Sequence, residues 1–183
     1  MSRCPMILCA LIVSATLAIA EDAKPNAAFE QMKSMVGEWT GSMATEGGQK
    51  QEAAFTYRLT AGGSALIETI FAGTEHEMVS VYTVDKGVLV LTHYCMMGNQ
   101  PHMKMDAQTD PKVLSFTFDC GGNMASDKDA HMHTAKYTWT DADDVSATWS
   151  HWVDGKADGD VGIELTRNKQ AGPAKAPAAP DKK

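Results

Sequence analysis

Val36-Gly37-Glu38-Trp39-Thr40-Gly41 lies where a short helical pattern gives way to a long series of strand patterns. A Gly-x-Trp-x-Gly run at the start of a first strand is typical of small antiparallel barrels. The indole of such a run fills one end of the barrel, and the glycines let the strand bend around it. The run therefore predicts that Trp39 closes one end of a β-barrel.

A short helix is expected immediately before this run. Asn26 is suited to cap a helix over Ala27–Met35, and Gly37 is suited to end it. The apolar residues of this segment recur at helical spacing and share one face: Phe29, Met32, Met35 and Val36. The simplest interpretation is a lid that packs this face onto one mouth of the barrel.

Ten strand-like runs follow, separated by short breaks rich in Gly, Asn and Asp. They are Glu38–Thr45, Gln51–Thr60, Ser64–Ala72, His76–Val84, Val88–Met97, His102–Ala107, Lys112–Asp119, Ala130–Thr140, Val145–Val153 and Val161–Arg167. Parallel crossovers would need further helices, and no second long helical pattern appears. We therefore expect an all-β fold, an antiparallel up-and-down barrel of about ten strands with a short N-terminal helix. A sandwich is the alternative.

The two ends of the 183-residue chain differ in composition from its body. Residues 1–20 combine Arg3 with an apolar run from Met6 to Ile19, the pattern of a secretory signal cut after Ala20. That run is too short and too poorly flanked to indicate a membrane span. We expect a leader at 21–26, the barrel at 27–167 and a disordered Ala/Pro/Lys tail at 168–183. The protein is then secreted or periplasmic.

Charge and motif content bear on the class of function. The formal net charge of −7 disfavours a nucleic-acid partner, because an acidic surface repels phosphate. The sequence has no Gly-x-Ser-x-Gly elbow, no His-Glu-x-x-His pair and no phosphate-binding glycine loop. A binding protein is therefore favoured over an enzyme.

Two cysteines, Cys95 and Cys120, remain once the predicted signal is removed. An even pair in an exported protein suggests a disulfide. Two free thiols buried on different faces are the alternative, and the sequence leaves both open.

The helix, the Gly37-Glu38-Trp39-Thr40-Gly41 opening and the series of strands together resemble the calycin-like barrels. These include lipocalins, fatty-acid-binding proteins and the nitrobindin-type haem barrels. Leu91-Thr92-His93-Tyr94-Cys95 with Gly98-Asn99-Gln100-Pro101 is similar to a group of uncharacterised secreted bacterial proteins of this kind. The resemblance covers roughly residues 27–167. It implies a protein that binds small apolar or porphyrin ligands.

Strand alternation assigns the candidate ligand-binding residues to the inward face. A three-residue turn at 141–143 keeps the odd-numbered positions of the two flanking strands on one side. It pairs Trp139 with Val145, Ala135 with Trp149 and His133 with His151. The predicted ligand-binding residues are Tyr137, Trp139, Trp149, His133 and His151.

An inward pair of histidines suits a transition metal or a haem iron. His133 and His151 would form this pair, with His93 as a third ligand if it faces inward. A three-residue turn at 85–87 pairs Val79 with His93, but both faces of this strand are apolar enough to be buried, so the direction of His93 stays open. The alternative is that the histidines surround the open end, hydrogen-bonded to water or to Glu77 or Glu164.

Two neighbouring segments are rich in sulfur. Cys95-Met96-Met97 and His102-Met103-Lys104-Met105 carry soft ligands of the kind that bind Cu(I). Methionine also fills cores readily, which is the alternative.

Three classes of function therefore remain. The first is a secreted barrel that binds a small apolar ligand, the second is a haem or metal protein, and the third is a barrel filled by its own side chains.

Overall fold

The computed structural model describes residues 25–44 and 50–170. One helix, α1 (Ala27–Lys33), precedes ten strands. The strands are β1 (Gly37–Ala44), β2 (Lys50–Thr60), β3 (Ala65–Ile70), β4 (Met78–Asp85), β5 (Val88–Tyr94), β6 (Gln100–Met105), β7 (Val113–Gly122), β8 (His131–Trp139), β9 (Asp144–Val153) and β10 (Lys156–Arg167). Each strand pairs with its sequence neighbour, and β10 pairs with β1 to close the barrel. The predicted fold class is confirmed, and the sandwich alternative is wrong.

The predicted signal peptide lies outside the described residues, as does the predicted tail beyond residue 170. Among the residues that are described, none belongs to a helix of the length and apolarity that crossing a membrane requires.

The end of the barrel that carries α1 is closed by Trp39 and Arg167, and we call it the sealed end. The Trp39 indole is 2% exposed, and its Nε1 donates to the backbone carbonyl of Met35 at 2.7 Å. The Arg167 guanidinium lies 4.2 Å from the centre of the Trp39 ring and donates to the carbonyls of Ser34 and Val36. This arginine therefore joins the last strand to the chain that follows the helix.

The two glycines of the opening motif have separate roles at the sealed end. Gly37 has a φ of +131°, which favours glycine, as the chain leaves the helix. A Cβ at Gly41 would overlap the ring of Phe55 on the neighbouring strand, so the ring lies close to the backbone there. The two glycines therefore provide a positive φ and a close ring contact, and the predicted bend of β1 stays a prediction.

The helix packs as predicted at all but one position. The Asn26 side chain accepts from the Phe29 amide at 2.9 Å, and Phe29, Met32 and Met35 are buried. Val36 is 40% exposed, so its predicted place on the buried face is wrong. The helix ends at Lys33, and Val36 no longer follows the helical spacing.

The hairpin between β4 and β5 differs by one residue from the predicted pairing. Asp85 pairs with Val88 across a two-residue turn, in which Lys86 and Gly87 both have positive φ. Such turns match the twist of a hairpin, although lysine rarely adopts this conformation. The shift makes Ser80 the partner of His93 and turns both residues into the barrel.

Candidate functional site

A cavity of about 270 Å³ lies at the end of the barrel opposite α1, and we call it the mouth cavity. Its walls are apolar apart from one imidazole and one thiol. They are formed by Ile70, Phe71, Met78, His93, Cys95, Met96, Met97, Met132, Trp149, Val161 and Ile163. A second cavity of about 390 Å³ adjoins it and shares Phe71 and Met96. The open end therefore provides space for a ligand.

His93 on β5 is the main polar group of the mouth cavity. Its side chain is buried, with 1% exposure, and its Nδ1 lies 3.1 Å from Ser80 Oγ. Across residues 25–44 and 50–170 the structure gives His93 Nε2 no hydrogen-bond partner. Burial lowers the pKa of His93 from 6.5 to about 4. The imidazole is therefore neutral at pH 7.

A row of polar residues crosses the inner wall and ends at His93. Adjacent strands pair Tyr57 with Glu68, Glu68 with Ser80, and Ser80 with His93. The Glu68 carboxylate accepts from the Tyr57 hydroxyl at 2.5 Å and from the Tyr82 hydroxyl at 2.7 Å. Burial raises the pKa of Glu68, and hydrogen bonds from the tyrosines and Ser80 counteract this rise. The row thus gives a buried carboxyl group several hydroxyl donors.

We expect this row to decide which nitrogen of His93 carries the proton. Ser80 lies between Glu68 and His93 in the strand pairing, so we expect its hydroxyl to donate to the Glu68 carboxylate and its oxygen to accept from His93 Nδ1–H. The neutral ring then has its lone pair on Nε2. The residue that lines the mouth cavity therefore offers a hydrogen-bond acceptor or a metal ligand.

The predicted pairing of His133 with His151 is wrong. The pairs Trp139–Val145 and Ala135–Trp149 form as predicted, but a β-bulge at His133 shifts the rest of the strand, so that Met132 lies opposite His151. A bulge places two residues opposite one, and the residue alternation before it does not reveal where it occurs.

His133 instead belongs to an aromatic cluster beside another cavity, of about 510 Å³. Its ring stacks on Trp152 with centroids 3.6 Å apart, and its Nδ1 lies 2.9 Å from His131 Nε2. Burial, and then the proximity of His131, lower the pKa of His133.

His151 makes a different contact. Its Nδ1 lies 3.4 Å from the carboxylate of Asp158. In the part of the chain that the structure describes, no three His, Cys, Asp or Glu side chains gather as metal ligands. The predicted metal site of His133, His151 and His93 therefore does not assemble. The direction of His93, left open by the sequence, is inward.

Only Trp149 among the five predicted ligand-binding residues lines the mouth cavity. Tyr137 is fully buried in the filled core, where its hydroxyl lies 2.6 Å from that of Tyr82. Trp139 is 8% exposed and packs in the same core. Strand alternation does not identify Met78 and Met132 as lining residues, because their faces depend on the hairpin turn and on the bulge.

Both predicted disulfide partners are free cysteines in the structure. Cys95 is half-buried beside the mouth cavity, whereas Cys120 is exposed on β7. This arrangement agrees with the alternative of two free thiols, except that Cys120 is exposed and not buried.

Comparison with known proteins yields structural neighbours only. No family model and no curated protein sequence matches the chain. Rv2717c from M. tuberculosis has a TM-score of 0.50 and 15% identity, over 78% of this chain and 98% of its own. At this identity the likeness concerns the fold alone.

Two further solved structures are similar at lower scores. A protein of unknown function from the DUF3598 family of Nostoc punctiforme has a TM-score of 0.48 and 10% identity, over 75% of this chain. This chain spans 49% of the length of that protein. A redesigned β-barrel has a TM-score of 0.35 and 12% identity, over 79% of this chain and 96% of its own.

Proposed function

We propose that this protein is a calycin-like barrel that binds a small, mostly apolar ligand in the mouth cavity. The observation that carries the proposal is the Nε2 atom of His93, which is buried and has no partner among the described residues. Small-molecule sites are concave and apolar, with few polar groups that fix the orientation of the ligand. The mouth cavity has this composition.

The protonation state of His93 narrows the chemistry of the ligand. A buried polar atom without a partner costs about 1–3 kcal/mol, and a ligand that donates a hydrogen bond to Nε2 would offset this cost. The remaining walls, which include Phe71, Trp149 and Ile163, favour an apolar body. The ligand we propose is therefore a compact apolar molecule that carries one O–H or N–H donor.

The third class of function, a barrel filled by its own side chains, fits only part of the molecule. Core residues such as Tyr82, Phe116 and Tyr137 fill the interior next to the sealed end. The cavities beside Phe71 and Met96 are not filled by the described residues. This difference favours ligand binding over a purely structural role.

Haem binding is a second candidate, favoured by the buried Nε2 of His93, which has no partner among the described residues. A neutral imidazole nitrogen is a usual axial ligand of haem iron. If the protein binds haem, hemin added to it shows a Soret band shifted from that of free hemin. The substitution His93→Leu then abolishes this shift. A spectrum identical to that of free hemin would exclude this candidate.

We also propose that the barrel is exported, on the basis of the signal pattern in residues 1–20. Intact-mass analysis of protein from the native host tests this directly. A chain that begins at Glu21 is expected, and a chain that retains residues 1–20 would contradict export by this signal.

The test of ligand binding uses p-cresol and toluene, which have similar shapes and differ by one hydroxyl group. Protein with ¹³C-labelled methionine methyl groups is titrated with each compound by NMR. We expect shifts at Met78 and Met132 in the mouth cavity, and none at Met32 beneath the helix. One hydrogen bond worth about 1 kcal/mol should make p-cresol bind about five-fold more tightly than toluene.

His93→Leu is the matched variant for this titration. It keeps a similar apolar volume and removes the acceptor, so toluene should still bind, and the advantage of p-cresol should disappear. No shift at any methionine of the mouth cavity, or the largest shifts at Met32 and Met35, would contradict the proposed site.

A further inference from the structure

Sulfur-bearing residues are concentrated in the walls of the mouth cavity, which His93 also lines. Five of the residues that line the mouth cavity carry sulfur: Met78, Cys95, Met96, Met97 and Met132. They come from separate elements, since Met78 begins β4, Met132 lies in β8, and the other three follow β5. The fold itself therefore brings the sulfur together, beyond the sequence run at 95–97.

These donors select a particular kind of metal ion. Thioether and thiolate sulfur are soft ligands that favour Cu(I), whereas carboxylates and water favour hard cations. Among the residues that line the mouth cavity there is no carboxylate, and His93 is the single histidine. The set of donors therefore suits Cu(I) better than Zn²⁺ or Ca²⁺.

His93 is positioned as a metal ligand before any metal binds. Its Nδ1 lies 3.1 Å from Ser80 Oγ, and Ser80 in turn pairs with Glu68 on the next strand. Outer partners of this kind fix the orientation and tautomer of histidine ligands in metal sites.

Two further features of the mouth cavity suit a monovalent cation. The Trp149 ring lies 5.0 Å from the His93 ring, and an indole face attracts a cation that lies next to it. Met96 and Met97 are 60% and 47% exposed, so their sulfur atoms lie at the rim of the cavity and provide an entry path.

We propose that the mouth cavity binds one Cu(I) ion through His93 Nε2 and the sulfur atoms of Cys95, Met78 and Met132. This inference goes beyond the proposed function, because it needs the cavity but no organic ligand. Both occupants use the same nitrogen, so bound Cu(I) should remove the advantage of p-cresol over toluene.

The test is an anaerobic titration of the reduced, full-length protein with Cu(I), in competition with bathocuproine disulfonate. We expect the protein to withdraw one equivalent of Cu(I) from the chelator. His93→Leu and the double variant Met78→Leu/Met132→Leu should each lower the affinity at least ten-fold. Ser80→Ala should lower it about ten-fold, the usual effect of losing an outer partner.

Two matched variants control for the loss of histidine or methionine elsewhere. His102→Gln removes a histidine whose Nδ1 pairs with Thr92 Oγ1, and Met105→Leu removes a methionine beside a different cavity. Both should bind Cu(I) like the native protein. Circular dichroism confirms folding, and the double methionine variant keeps the test decisive if His93→Leu fails to fold.

The outcomes separate the copper site from the proposed function. Failure to withdraw Cu(I), or equal affinity in all variants, would overturn the copper site. Shifts with p-cresol but no Cu(I) binding would overturn this inference and leave the proposed function intact. Cu(I) binding that depends on His93 and the methionines, without any shift from p-cresol, would support the copper site and overturn the proposed function.

Discussion

The two ends of the barrel differ in the hydrogen bonding of one buried ring nitrogen at each end, Trp39 Nε1 and His93 Nε2. At the sealed end, Trp39 Nε1 and the Arg167 guanidinium are paired with backbone carbonyls of the segment that follows α1. At the open end, His93 Nε2 is buried and has no partner within the described ranges. The same strands run through both ends, so the difference comes from the side chains. We infer that the sealed end supplies stability and the open end supplies binding.

The largest expected effect is the loss of the indole at the sealed end. Trp39→Ala should lower the free energy of unfolding by about 3–5 kcal/mol, because it leaves a cavity in the core. Trp152→Ala removes an indole near the open end that is only half-buried, and should cost about 1 kcal/mol through lost stacking on His133. Urea unfolding measures both values. Similar losses would contradict the division between the two ends.

The second prediction concerns pH and the open end. The pKa of His93 is lowered from 6.5 to about 4 in the folded state, so the unfolded chain binds more protons between these values. The stability that neutral His93 contributes is therefore fully present above pH 6.5 and is lost as the pH falls toward 4. By linkage the loss approaches about 3 kcal/mol.

His93→Leu is the control for this pH dependence. The difference between the unfolding free energies at pH 7 and pH 4 should shrink by about the same 3 kcal/mol in the variant, as measured by urea unfolding at each pH. An unchanged pH dependence would show that His93 is not held neutral by burial.

The third prediction separates stability from binding. Arg167→Met removes the hydrogen bonds to Ser34 and Val36 and the contact with Trp39, and should cost about 2 kcal/mol. Arg58→Met on β2 should stay within about 0.5 kcal/mol of the native protein, as most surface substitutions do. Affinity for p-cresol should be unchanged in both variants. A loss of affinity in Arg167→Met would show that the two ends are coupled.

The smallest expected effect is at the start of the helix. Asn26→Ala removes the capping oxygen that accepts from the Phe29 amide and the hydrogen bond to the carbonyl of Gly87. It should lower the free energy of unfolding by about 1 kcal/mol. Asn26→Ser keeps a capping oxygen and should recover part of this loss. Thermal unfolding measures both, and equal stability of Asn26→Ala and the native protein would contradict the role of the cap.

The fold could be predicted from the sequence because the features that define it are local. Turn residues separate the strands, and the opening motif sets the position of Trp39, so neither depends on contacts between distant residues. The candidate site depends on two local irregularities, each of one residue, that turn residues and strand alternation do not reveal. Lys86 adopts a positive φ, which brings Ser80 opposite His93, and His133 forms a bulge, which turns Met132 toward the barrel.

The same irregularities explain which candidate residues were correctly placed. Trp149 lies before the bulge in the pairing of β8 with β9, so alternation from the turn at 141–143 assigns it correctly. His133 and His151 lie at and beyond the bulge, and their predicted contact is lost. The row from Tyr57 to His93 crosses four strands, and no spacing in the sequence shows that these residues are neighbours.

The proposed binding site depends on one property that we expect of His93, an unprotonated Nε2 that a ligand in the mouth cavity can reach. Imidazole ¹⁵N NMR of the protein at pH 7, before and after addition of p-cresol, tests it most directly. We predict that His93 carries its proton on Nδ1 and that p-cresol shifts the Nε2 resonance. A proton on Nε2, or a resonance that p-cresol leaves unchanged, would contradict the claim.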